Sequence, residues 1–273
     1  MKTVSIIVNE EKDAGCSVAN VIRSYLEKYE SCVTIYNYTE DFMISPETDM
    51  AIVLGGDGTV IQAAKKLAGK KVPILGVNLG TLGFLTEVER PRMYQALDAI
   101  LSGNYSTEKR MVLSASIESD GNERLAINEI IVGKNDIGRM ITMSVWVNDE
   151  LMDTYVADGV LVATPTGSTA YNLSAGGPVL SPNMEAFVIT PICPHSLNKR
   201  SLVVSSQDSI RIQVEKTRES YIDEASIRCD GESLWTAQTG DVVYIKKAEE
   251  SFEVVCTGDV GFYEKMRGKL NRK

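Results

Sequence analysis

Histidine is almost absent from this sequence: there is one, His195, in 273 residues. Any metal or catalytic site that requires two histidines is therefore excluded. Cysteine is sparse and odd in number, five in all, at positions 16, 32, 193, 229 and 256. None of these spacings matches a metal motif, so reduced thiols in a cytosol are the expectation. No uninterrupted apolar run reaches the roughly 18 residues of a membrane helix. The segment Met1-Lys2-Thr3-Val4 enters a strand-like run and not the plan of a signal peptide. Positive charge is in deficit, 28 Lys and Arg against 37 Asp and Glu, for a formal net charge of −9. That argues against a nucleic-acid or anionic-membrane binder, whose affinity comes mostly from Lys and Arg neutralising phosphates. What remains is ordinary: 44% hydrophobic and 24% charged residues, enough apolar material for a real core. At roughly 150 residues per domain, the length suggests one large domain or two ordinary ones, in a soluble cytoplasmic protein.

The first third alternates strand and helix signals. Val4 to Val8 is a nearly continuous apolar run, as in a strand covered on both faces. Val18, Val21, Ile22, Tyr25, Leu26 and Tyr29 follow at helical spacing. Strands are expected at 32–36, 50–54 and 72–77, and helices over 59–68 and 91–101, the last with a proline at its start. This is the pattern of an α/β domain with a mainly parallel sheet. Past residue 107 the period becomes two: Met111, Leu113, Ala115 and Ile117; Ile141, Met143, Val145 and Val147; Ile210, Ile212 and Val214. Runs at 241–245 and 252–255 complete the set, and no long helical stripe interrupts it. The expectation is an α/β domain over 1–107 and an all-β sandwich over 108–255, with 256–273 packing back on the first domain. The last segment reads as a short helix whose Lys265, Arg267, Lys269, Arg272 and Lys273 form a solvated end. There is no linker, repeat or low-complexity tract.

The sharpest local feature is Gly55-Gly56-Asp57-Gly58-Thr59, between a buried strand and a helix. Glycines let the backbone approach a phosphate, and free N–H groups at a helix start favour anionic charge. An aspartate there would repel phosphate unless it met Mg²⁺ or took a proton from a hydroxyl nucleophile. The bland alternative is a tight turn with Asp57 as helix N-cap. The spacing is neither GxGxxG nor GxxxxGK(S/T), so the dinucleotide fingerprint and the Walker loop are both absent. A second glycine loop, 76–84, contains Asn78 and Phe84. Asn128-Glu129 is a polar pair inside an apolar strand; a sheet edge and a functional cleft both remain open for it. Asp158-Gly159, then Thr164 to Tyr171, then Ser174 to Pro178 offer hydroxyls, glycines and one tyrosine, a set suited to gripping a sugar-phosphate without positive charge. His195 has no nucleophile-plus-acid context.

Taken in order, the Gly-Gly-Asp-Gly-Thr loop, Asn128-Glu129 and Thr-Pro-Thr-Gly-Ser-Thr-Ala-Tyr over 164–171 closely resemble the NAD kinase family. The resemblance extends to Asn78–Leu85, Asp158-Gly159, Thr190–Leu197 and Asp230-Gly231, most of the chain beyond residue 50. The first motif alone is shared with diacylglycerol, sphingosine and phosphofructo-kinases; the third separates NAD kinases from them. The resemblance implies an α/β domain, a β-sandwich, a homodimer or homotetramer, and transfer of the terminal phosphoryl group of ATP to the adenosine 2′-hydroxyl of NAD. It implies Mg²⁺ or another divalent cation held mainly through phosphates near Asp57, with ATP, or polyphosphate, as donor. Asp57 would orient or deprotonate the hydroxyl, and Gly55, Gly56, Gly58 and Thr59 would hold phosphates. Asp57, Asn78, Phe84, Asn128, Glu129, Asp158, Thr166, Thr169, Ala170, Tyr171 and Ser174 would contact NAD. Two alternatives stand beside it: a lipid or other small-molecule kinase sharing only the glycine loop, and a catalytically silent NAD-binding sensor. Lys and Arg have no motif place in such a site, which assigns charge neutralisation to N–H groups, helix starts and Mg²⁺.

Overall fold

A strand that will be covered on both faces can carry apolar side chains at every position, and the central strands of the first domain do. The computed structural model describes residues 2–39, 42–80, 83–135, 139–217, 222–258 and 261–270. Chain contacts divide it into two compact units, Met1–Arg110 with Ser251–Lys273, and Met111–Glu250. Thr81 and Leu82 of the second glycine loop, and Arg272 and Lys273, lie outside the described residues.

In the first unit the order is β1 (Thr3–Val8), α1 (Ser17–Glu27), β2 (Cys32–Asn37), β3 (Met50–Gly55), α2 (Asp57–Leu67), β4 (Ile74–Asn78), β5 (Val88–Glu89), α3 (Met93–Ser102) and the start of β6 (Ser106–Ile117). The sheet runs β4-β3-β1-β2, all parallel, with β5 parallel beside β4. α1 buries Val18, Ile22 and Leu26 against it, each contributing roughly 1.5–3 kcal/mol. Its start is fixed by Asp13, whose carboxylate accepts the Val18 and Ala19 N–H groups at 2.9 and 3.0 Å. Pro91 sits in a single 3₁₀ turn, Arg90–Arg92, that leads into α3. Gly103, in the left-handed region at φ 74°, ends α3.

The second unit continues with β7 (Arg124–Ala126), β8 (Glu129–Lys134), β9 (Ile141–Val147), β10 (Glu150–Ala157), β11 (Gly159–Ala163), α4 (Tyr171–Ser174), β12 (Ala186–Ile192), β13 (Leu202–Ser205), β14 (Ile210–Glu215), β15 (Glu224–Cys229), β16 (Glu232–Gln238) and β17 (Val242–Cys256). One antiparallel sheet contains β10-β9-β14-β17, with β6 beside β17 and β7 beside β6; the other runs β13-β12-β11-β8-β15-β16. Met143, Val145, Ile212 and Val243 of the first meet Ile130, Val132, Val160, Phe187 and Ile227 of the second in one core. This is the expected sandwich.

The runs 241–245 and 252–255 are one strand, β17, because its charged stretch stays in register with Lys246, Glu249 and Glu250 toward solvent and Ala248 inward. In β6, Arg110 through Ala115 are all buried, with Ser114 satisfied by Glu123 at 2.7 Å. The chain closes with α5 (Phe262–Leu270), in the first unit. No helix among the described residues is long and apolar enough to cross a membrane.

Candidate active site

The glycine loop follows β3, which is buried along its whole length, so the turn falls at the C-terminal edge of the parallel sheet. The N-cap reading for Asp57 is overturned. Gly56 is the N-cap, in extended conformation, and Asp57 is the first helical residue. Its carboxylate turns instead onto the next glycine loop. Phe84 N–H donates to Oδ2 at 2.7 Å, and Leu85 and Thr86 N–H donate to Oδ1 at 3.0 and 3.3 Å. Gly83 makes this fit possible: a Cβ there would lie 1.7 Å from Asp57 Oδ1. The loop itself is braced by Gly83 N–H to Thr86 Oγ1 at 2.9 Å and by the Asn78 amide, which bonds both N–H and C=O of Gly80.

The other glycines differ in what demands them. A Cβ on Gly55 would strike Thr59 Oγ1 at 2.3 Å, so this glycine is required by protein packing. Thr59 is buried and its hydroxyl accepts from Asn9 at 3.3 Å, so it faces the end of β1. Gly58 has nothing within 4 Å of a Cβ position, and the N–H groups of Asp57 and Gly58 have no protein acceptor among the described residues. The protein does not need glycine at 58. A group approaching those N–H donors would.

Positive charge is present where the sequence offered no motif for it. Lys12 Nζ lies 2.8 Å from the Cβ position of Gly56. Lys269 Nζ lies 4.0 Å from Asp57 Oδ2 and 4.4 Å from the centre of the Phe84 ring. Phe84 is half-buried, with the Phe262 ring 6.1 Å away. The solvated-end reading of α5 is also corrected. Lys265 is 6% exposed and pairs at 2.7 Å with Glu87, itself 8% exposed. Beneath this pair lies a cavity of about 200 Å³ lined by Phe84, Glu87, Glu108, Arg110, Cys256 and Lys265, among others. Burial, reinforced by Glu87 and Glu108, pushes the Cys256 thiol up from 9.0 to about 11. Burial lowers the Arg110 guanidinium, opposed by Glu108 at 2.6 Å.

In the second unit, Asn128-Glu129 is organised by a carboxylate one hundred residues away. Asp230 accepts the N–H groups of Ile127, Asn128 and Glu129 at 2.9, 2.7 and 3.2 Å. β8 lies between β11 and β15, so the sheet-edge reading of this pair fails and Glu129 is buried. The 164–171 segment wraps the same turn: Thr164 N–H donates to Asn128 O at 2.9 Å and Thr164 Oγ1 to Ile127 O at 2.7 Å. A Cβ on Gly167 would sit 2.0 Å from Asn128 O, which fixes glycine there. Thr166 is buried and accepts the Thr169 hydroxyl on its carbonyl at 3.2 Å. Asn172, buried at the base, bonds Ser168 O, Pro178 O and the Thr190 hydroxyl. Ala170 is half-buried, Ser174 is exposed, and Tyr171 leaves 43% of its surface open. Asp158 pairs with Lys134 at 2.6 Å. His195 is exposed, and its backbone N–H donates to Val156 O at 2.8 Å. Asp57, Asn78 and Phe84 thus fall together in the first unit, and Asn128, Glu129 and the 164–171 segment in the second; Asp158, at the other end of β11 beside Lys134, joins neither group. Sequence reasoning missed Lys12, Asn172, Lys265 and Lys269, of which only the α5 lysines left a signal, their spacing with Phe262 and Met266.

Known proteins match both units. Residues 15–105 match the family model of the ATP-NAD kinase N-terminal domain, and 127–257 that of the ATP-NAD kinase C-terminal domain. An NAD kinase of Lachnoclostridium phytofermentans is 40% identical, with 100% of each chain covered. One from Caldanaerobacter subterraneus is 39% identical over 100% of each. Among solved structures, an Archaeoglobus fulgidus NAD kinase in complex with ATP aligns at 27% identity and TM-score 0.77, covering 98% of each chain. Yeast NADH kinase complexed with NADH shares the fold, with TM-score 0.82 at 24% identity over 99% of this chain and 87% of that one. These matches define a phosphotransferase built from an α/β domain and a β-sandwich. The chain belongs to the NAD kinase family, which phosphorylates NAD to NADP, and full-length identity leaves the lipid-kinase and silent-sensor readings unsupported.

Proposed function

We propose that Asp57 is the catalytic carboxylate of this NAD kinase. The observation that carries the proposal is its cradle: three N–H groups grip the carboxylate, yet Oδ2 accepts only one of them. A carboxylate oxygen has room for two donors, so Oδ2 keeps a lone pair for the adenosine 2′-hydroxyl of NAD. The hydroxyl oxygen attacks the terminal phosphorus of ATP, the bond to the bridging oxygen breaks, ADP leaves, and the proton passes to Asp57. The free N–H groups of Asp57 and Gly58 and the Lys12 ammonium hold donor phosphates, in the open space that Gly58 leaves. In the second unit, Asn128, Glu129, Asp158, Thr166, Thr169, Ala170, Tyr171 and Ser174 are assigned to NAD binding; in the first, Asn78 and Phe84 are. The open face of Tyr171 supports its role as a stacking surface.

No group of three or more His, Cys, Asp or Glu that could enclose a metal occurs among the described residues. A single carboxylate beside a phosphate site nevertheless fits Mg²⁺, which ordinarily takes one or two carboxylates plus substrate phosphates. With the open position of Oδ2 given to the hydroxyl, the ion would be held mainly through the substrate phosphates near Asp57 and when bound would neutralise charge on the transferring group. Leu202 and Val203, exposed on edge strand β13, support assembly as a homo-oligomer. A cytoplasmic location fits the thiol content. The test is NADP formation from NAD and ATP with and without excess EDTA. Activity should collapse on chelation; kinase activity surviving EDTA would contradict the charge assignment, leaving Lys12 and the N–H groups to serve alone.

A further inference from the structure

We propose that Lys269, delivered by the C-terminal helix, is a positioning residue for phosphoryl transfer. The inference rests on Asp57 being the catalytic carboxylate. In α5 the residues at Phe262, Lys265, Met266 and Lys269 share one face at helical spacing. That face is turned inward: Lys265 is buried and the other three are half-buried, while Tyr263, Glu264 and Arg267 are exposed. Two lysines on the inward stripe of an amphipathic helix break the usual pattern, and such departures tend to mark functional sites. Lys265 is accounted for by its buried pair with Glu87. Lys269 is not. Among the described residues it makes no ion pair closer than 4.0 Å; it lies at that distance from Asp57 Oδ2 and 4.4 Å from the centre of the Phe84 ring. The Lys265–Glu87 pair and the approach of Phe262 to Phe84 therefore act as the fixed end of a short lever whose free end is an ammonium beside the reacting carboxylate.

An ammonium at that point does two things. It attracts Oδ2, the oxygen with a free lone pair, and so holds the carboxylate in its cradle while leaving it 30% open. It also offsets repulsion between the Asp57 charge and the phosphates drawn to the same loop, a term that matters most when charge builds on the transferring group. The contribution should fall below the roughly 10²–10³-fold of a fully enclosed donor, because both side chains are partly open to solvent.

The test measures kcat, the KM for NAD and the unfolding temperature of Lys269→Met, Lys269→Arg and Asp57→Asn in the full chain. Methionine keeps an unbranched, partly apolar side chain at this position and removes the charge. Lys269→Met should lower kcat on the order of tenfold, with KM for NAD within about twofold and the melting temperature near wild type; Lys269→Arg should restore most of the loss. The inference is overturned if Lys269→Met turns over at the wild-type rate, if arginine fails to rescue, or if kcat and melting temperature fall together, as a merely structural role would require. Near-wild-type turnover in Asp57→Asn would remove the reading beneath it. An inactive Asp57→Asn beside a fully active Lys269→Met would remove the lysine alone.

Discussion

Gly83→Ala is the substitution that most directly interrogates the Asp57 cradle. Gly83 does not have a left-handed φ, so its backbone conformation is open to alanine. What alanine cannot do is fit. The new Cβ would stand 1.7 Å from Oδ1, 2.3 Å from Cγ and 2.6 Å from Oδ2 of Asp57, where ordinary contact is 3.4–4 Å. The carboxylate must retreat by roughly 1.5 Å or more, and the rotating side chain is softer than the backbone beneath it. Retreat breaks the bonds from Phe84, Leu85 and Thr86. Hydrogen bonds to a charged group contribute about 1.5–3 kcal/mol each when fully enclosed, and water replaces part of that here, so a net destabilisation of about 1–3 kcal/mol is expected. For a protein of this size that corresponds to a melting temperature lower by roughly 2–10 °C. The catalytic cost is larger in proportion: displacing a reacting group by about 1 Å can cost on the order of 10²-fold in rate. The assay is NADP formation at saturating NAD and ATP, beside thermal unfolding. Gly80→Ala is the control, since a Cβ there meets nothing within 4 Å. A Gly83→Ala enzyme with kcat within threefold of wild type would refute the claim that the cradle positions Asp57.

Two further outcomes separate ligand space and burial from packing. Gly58→Ala should leave the melting temperature unchanged or slightly higher, as a helix residue gaining up to about 1 kcal/mol of propensity, yet raise the KM for ATP severalfold; a fall in stability with unchanged KM would show that the open space serves the protein and not a donor. Cys256 should impose an alkaline limit. The native thiol holds its proton to about 11 while the unfolded thiol ionises near 9.0, so its stabilising effect is intact below pH 9 and lost between pH 9 and 11. Chemical denaturation should therefore lose about 2 kcal/mol more between pH 8.5 and 10.5 in wild type than in Cys256→Ala, and equal losses would refute the burial assignment.

How much of this could be read from the chain depends on whether the relevant signal was local. β3 and β4 are short apolar runs ending in glycine or asparagine, and their burial on both faces follows from that composition. The Gly-Gly-Asp-Gly loop was legible because glycines and one acid cluster between a strand and a helix. The direction in which Asp57 turns was not, because its partners are backbone N–H groups twenty-seven to twenty-nine residues away. For Asn128-Glu129 a sheet edge and a cleft stayed open because nothing local says that β11 and β15 flank it. Asp230, about a hundred residues on, supplies the anchor for that turn. The lysines are the clearest failure. Lys12 sits in an exposed turn without a motif, and Lys269 in a helix whose charged residues look like a soluble end until their spacing with Phe262 is counted. A net charge of −9 thus hides two ammonium groups at the glycine loop, Lys12 at Gly56 and Lys269 near Asp57.

The central claim is that Asp57 carries the chemistry, and turnover of Asp57→Asn tests it most directly. Asparagine keeps the size and can still accept the N–H bonds on one oxygen, so the fold and the affinity for NAD should persist. With the base removed, steady-state NADP formation should fall by at least ~10²-fold at saturating NAD and ATP. A soluble, NAD-binding Asp57→Asn protein with near-wild-type kcat would contradict the account.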